Sequence, residues 1–157
     1  MNILFTRKTA LFFLGLFLSA PLFAQTAEKL EALLNERALN WSQAAAFILE
    51  ASLEPAEEPA EISDPEDAFS FAAGNNWLPK DAAPEDPARL NGVALLLMKS
   101  FDIKGGIFYR AFNGPHHAYR ELVYKKIIRG NTDPDMPVSG QQLLLMLSRI
   151  LSLQEES

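Results

Sequence analysis

His116 and His117 are the only imidazoles in this 157-residue chain, which has no cysteine. Adjacent side chains in an extended stretch point apart, so the pair makes a poor bidentate metal site, and no Cys or third His completes the usual ligand sets. Their place just before Ala118 suits a helix N-terminus. A denser chemistry surrounds them. Lys104, Tyr109, Arg110, His117, Arg120, Tyr124, Lys125 and Arg129, with Tyr119 and Lys126 among them, form a basic and aromatic segment of the kind that binds anionic polymers or carbohydrate. The competing reading puts the tyrosines in the core and leaves the charges solvated, since Lys and Arg are mostly surface residues.

Other reactive signatures are missing. Gly105-Gly106 lacks the further glycines, the lysine and the hydroxyl of a phosphate loop, and no nucleophile elbow, zinc signature or dinucleotide fingerprint occurs. Seven of the 20 acidic residues fall in one Pro-rich stretch, where nothing would raise a pKa. Trp77, in Gly74-Asn-Asn-Trp-Leu-Pro79, reads as a plug over the core rather than an exposed contact. The expectation is a non-catalytic binding or scaffolding protein with no cofactor and no metal.

Stepping outward along the chain, residues 1–24 resemble a cleavable signal peptide: Arg7 and Lys8, an apolar run from Ala10 to Leu18, then Ser19-Ala-Pro-Leu-Phe-Ala24. The apolar stretch is shorter than the roughly 20 residues that span a bilayer. No Cys follows it for lipid attachment. Export to the periplasm or cell envelope is expected, without stable membrane insertion after cleavage at Ala24. Cleavage would move the formal charge from −6 to −8, which disfavours a nucleic-acid partner. The charge is uneven: residues 25–67 carry eleven acids and two basic groups, and residues 99–130 seven basic groups and two acids.

Apolar spacing of three and four predicts an amphipathic helical segment over 25–52, divided and capped at Asn40. Residues 53–67 hold three prolines and seven acids and read as an extended acidic linker. Beyond it the spacing predicts a short helix at Ala68–Ala73, a turn-rich connection, and an apolar helix from Asn91 to Phe101 with Asn91 as cap. Ile107–Arg110 reads as extended, with room for one very short strand or hairpin. A further helix over Ala118–Ile128 has Glu121 and Lys125 at i,i+4 spacing and Gly130 as its left-handed cap. The last helix opens on Ser139 and Gln142, spaced as a capping box. It continues so apolar that burial on several sides is expected.

An internal repeat underlies these elements. Leu90-Asn-Gly-Val-Ala-Leu-Leu-Leu-Met98 matches Val138-Ser-Gly-Gln-Gln-Leu-Leu-Leu-Met146 without a gap, and Leu39–Phe47 is a fainter copy. Ala68 and Ala118, Pro84 and Pro134, and Pro87 and Pro137 each lie 50 residues apart. The units are therefore 68–112 and 113–157, with a degenerate one at 25–52. The fold class expected is all-α, built of short helix-loop-helix repeats.

The segment Ile127–Leu151 resembles a bacterial S-layer homology repeat, through Ile127, Ile128, Gly130, Asp133, Pro137, Ser139, Met146, Leu147, Arg149 and Leu151. The resemblance covers one unit well and a second weakly. It implies a helical scaffold that docks an exported protein onto cell-wall polymer. The family's Thr-Arg-Ala-Glu sequence is here Ser139-Gly140-Gln141-Gln142, so its ligand-binding arginine and acid do not carry over. The alternative partner is another envelope protein, with this chain as adaptor; a small secreted hydrolase using His116 or His117 is the third reading.

Overall fold

The computed structural model describes residues 20–52, 64–130 and 132–155, which form seven helices and no sheet. Most of the expected signal peptide (1–19) and of the acidic linker (53–63) lies outside these residues. The chain divides into two units, 1–35 and 36–157. In the first, helix α1 (Ala20–Asn35) carries Leu30 and Leu34 on its exposed surface.

The second unit holds α2 (Trp41–Ser52), α3 (Pro65–Gly74), α4 (Leu90–Ser100), α5 (Ile107–Phe112), α6 (Pro115–Tyr124) and α7 (Gly140–Glu155). Local chemistry sets several starts. Asn40 Oδ1 accepts from the Gln43 amide at 2.8 Å while Gln43 Oε1 accepts from the Asn40 amide at 3.0 Å. Ser139 and Gln142 make the same reciprocal pair, at 3.2 and 3.1 Å. Each satisfies amides that a helix end leaves without partners. Helix α3 begins three residues earlier than its spacing suggests, because Pro65 occupies the first turn and Asp64 accepts from the Glu66 amide.

Helices α3 and α6 begin and end 50 residues apart, and the turns that follow them agree bond for bond. The amides of Asn75, Asn76 and Trp77 donate to Phe71, Ala73 and Ala72; those of Lys125, Lys126 and Ile127 donate to Glu121, Val123 and Leu122. Asn76 and Lys126 both turn left-handed, at φ 57° and 60°. The left-handed cap of α6 is therefore Lys126 and not Gly130. Gly130 (φ +91°) bends the loop beyond, and Ile127 and Ile128 are core residues outside the helix.

The three helix-entry strands meet in a closed ring. The Leu39 amide donates to the Val138 carbonyl at 2.8 Å, Val138 to Ala88 at 2.9 Å, and Ala88 back to Leu39 at 2.8 Å. Single β-bridges join Asn40 to Pro87 and Arg89 to Pro137. Two turns of helix lean on the same loops: Trp41 and Leu90 amides donate to Asp86 and Met136, and Ser42 and Asn91 amides to Pro84 and Pro134. Asn91 is thus not a cap. It lies inside α4, whose cap position is Arg89, and loop carbonyls satisfy the amides that a capping side chain would otherwise take.

This register is the 50-residue spacing of the prolines. The gapless leucine-methionine match has a spacing of 48 and is two residues out of step with the hydrogen bonds. In the bonded register Val93, Leu96 and Leu97 of α4 take the places of Leu143, Met146 and Leu147 of α7, and all six are buried. Such side chains contribute roughly 1.5–3 kcal/mol each when taken from water. Helix α2 packs on α3 and α4 and touches α7, and α4 packs on α6.

Two expectations are corrected. Ile107–Arg110 is not extended but forms α5, closed by Asn113 in a left-handed conformation (φ 35°) and seated by buried Tyr109. Helix α7 is not buried all round: Leu145 and Leu151 are exposed, although Leu95 of α4 and Phe101 just beyond it, 50 residues earlier, are buried.

Candidate binding cleft

Beside the hydrogen-bonded ring, the Pro-bearing loops leave a cleft of about 610 Å³ between the starts of α2 and α4 and the loop before α7. Two of its wall residues pack against one glycine. Trp41 and Pro79 crowd against Gly92 so closely that a Cβ built there would lie 2.5 Å from the Trp41 ring and 2.7 Å from Pro79. The indole, itself buried, thereby forms part of the cleft wall together with Pro79, Pro87 and Pro137.

The polar groups are Asp81, Asp86, Arg89, Asn91 and Asp135. Asn91 Nδ2 donates to Asp135 Oδ1 at 2.9 Å, which fixes both side chains across the two loops. Asp135 is also held by its own amide donating to Asp133 Oδ1 at 2.9 Å. The side chains of Asp81, Asp86 and Arg89 make no hydrogen bond or ion pair among the described residues and are exposed. Their donors and acceptors are open to a ligand. Apolar walls with a few convergent polar groups can take the C–H face of a sugar while pairing with its hydroxyls.

The basic and aromatic segment is divided by the fold. Tyr109 is buried with no partner for its hydroxyl, and burial raises its pKa above the usual tyrosine value. It seats a helix and offers a ligand nothing. Lys125 pairs with Glu121 at 3.8 Å, and Arg129 Nε donates to the Lys126 carbonyl at 3.0 Å. His117 stacks on Phe112 with ring centroids 5.2 Å apart. Lys104, Arg110, Arg120 and Tyr124 are exposed on α5, α6 and the preceding turn. Tyr119 donates to the Thr132 carbonyl at 2.7 Å, tying α6 to the loop before α7.

His116 and His117 sit in the first turn of α6, not in an extended stretch, with rings 5.6 Å apart. Among the described residues no group of three or more His, Cys, Asp or Glu side chains could hold a metal ion. Trp77 is half-buried and meets Phe71 edge-on at 5.6 Å. None of the sequence-selected binding residues lines the cleft. Of the residues that do, sequence alone marks Asn91, as a cap, and the matched Pro87 and Pro137. Comparison with protein-family models, curated proteins and solved structures gives no match to this chain.

Proposed function

We propose that this chain is an exported, non-catalytic envelope module, built of three units on an S-layer-homology-like plan and docking to cell-wall polymer through the cleft. The observation that carries the reading is the closed ring of Leu39, Ala88 and Val138, in which three loops spaced 49 and 50 residues apart play one backbone role. A closed ring of this kind supports a plan of three equivalent units. The first unit is the degenerate one. Asp86, Arg89 and Asp135 are the residues assigned to the polymer, replacing the basic surface as the docking site.

The test is retention of the protein by soluble cell-wall polymer fragments in affinity electrophoresis. Asp86→Ala with Arg89→Ala is expected to abolish the retardation while leaving the melting transition unchanged, since both side chains are exposed and unpaired. A parent protein that the fragments do not retard would remove the reading.

A second reading, an adaptor for another envelope protein, is favoured by Leu145 and Leu151. Both are exposed on α7, whereas Leu95 in α4 and Phe101 just beyond its end are covered. Recovery of a defined protein partner in the absence of glycan supports it over polymer docking.

A further inference from the structure

We infer that α5 is a membrane-surface insert that places its apolar side chains among anionic lipid headgroups. The helix buries only Tyr109 and leaves Ile107, Phe108 and Phe112 at 81, 75 and 66% exposure. Tyr124 of the adjoining helix is 82% exposed. Glu121 and Tyr124 lie one turn apart on α6. The start of α5 passes against that side, with Gly106 beside the Glu121 carboxylate, and Phe112 at its far end stacks on His117. The two helices therefore lie against each other at both ends of α5.

Tyr109 alone seats the helix, and the exposed side chains add nothing to that seat. Large apolar side chains kept in water on one short helix serve something outside the scaffold.

Charge selects the partner. Lys104 and Arg110 flank the exposed apolar residues, and of the two acids within 99–130 Glu121 is already paired with Lys125. On a chain of net charge −6 this is the place where an anionic surface is attracted rather than repelled. A six-residue helix is about 9 Å long, fit to lie in the headgroup layer with aromatic residues at the acyl boundary. Among the described residues no helix is long and apolar enough to cross a membrane. This inference shares only the envelope location with the proposed function. The cleft and α5 are separate sets of residues.

The experiment is co-sedimentation of the full chain with vesicles of phosphatidylcholine, with and without roughly one-third phosphatidylglycerol. Parent and variant are run side by side, so that any contribution of residues 1–24 is common to both. Ile107→Ser with Phe108→Ser and Phe112→Ser is expected to raise the lipid concentration for half-binding about tenfold or more, with an unchanged melting curve. Lys104→Glu with Arg110→Glu is expected to remove the preference for the anionic vesicles. Equal sedimentation of parent and triple variant overturns the inference. So does a triple variant that binds vesicles normally but loses a co-purifying protein or a self-association seen in the parent, which assigns the surface to a protein instead.

Discussion

Asn76 and Lys126 occupy one position in two copies of one turn: each is left-handed, each is followed by an amide that reaches back five residues, and each closes a helix that began with proline. Asparagine tolerates this conformation and lysine tolerates it poorly, because the lysine Cβ crowds its own peptide. Lys126→Gly is therefore expected to stabilise the protein, by about 0.5–1 kcal/mol after the entropy that glycine adds to the unfolded chain. Asn76→Gly should change little. Gly130→Ala forces a Cβ into the same region of backbone space and should cost about 1–2 kcal/mol. Chemical denaturation of the three variants checks the ordering.

The contact of Gly92 with Trp41 makes a second prediction. A methyl at position 92 meets both the indole and Pro79, which cannot yield without moving the start of α2 and the loop after α3. Gly92→Ala is expected to destabilise by about 1–3 kcal/mol, and to shift the Trp41 emission as the ring is pushed from its buried seat. An unchanged melting temperature would show that the cleft wall is looser than the distances imply.

Tyr109 carries a buried hydroxyl without a partner, so removing the oxygen relieves a cost instead of adding one. Tyr109→Phe should be neutral or stabilising by about 1 kcal/mol. The linkage follows from the raised pKa. The folded state holds the phenol proton more tightly than the unfolded state, so this stability is present below the unfolded value near pH 10 and is lost as pH rises through the folded value. Parent and Tyr109→Phe unfolding curves should therefore diverge above about pH 10, the parent losing stability faster.

Capping separates residues that look alike in sequence. Asn40→Ala and Ser139→Ala each remove a side chain from a reciprocal pair and should cost about 1 kcal/mol. Asn91→Ala leaves the α4 amides on their loop carbonyls and loses only the exposed bond to Asp135, so its cost should be smaller. Thermal melts of the three variants decide the order.

These residues also mark what sequence could convey. Ser139 with Gln142, Asn40, and the Glu121–Lys125 pair are local, and spacing of three or four residues is enough to read them. Ile107–Arg110 misleads because a short aromatic and β-branched run between turns fits a strand as well as a helix; the seat of Tyr109 and the left-handed Asn113 decide for a helix. The leucine-methionine match misleads differently. Leucines fill many helix positions, whereas prolines in loops are tied to one backbone geometry, so the fainter signal carried the true register. The cleft was not legible at all: loops from three parts of the chain build it, and main-chain hydrogen bonds, which leave no mark on residue type, join them. The basic segment was legible as a composition but not as a site, because burial of Tyr109 and pairing of Lys125 depend on packing.

The central claim is that the cleft docks this protein to cell-wall polymer, and sedimentation with washed cell-wall sacculi tests it most directly. The parent and the Asp86→Ala, Arg89→Ala double variant would be compared at low and high salt. The account predicts that the parent sediments with sacculi and that the double variant stays in the supernatant with its fold intact. A parent that remains soluble, or a double variant that sediments equally well, would contradict it.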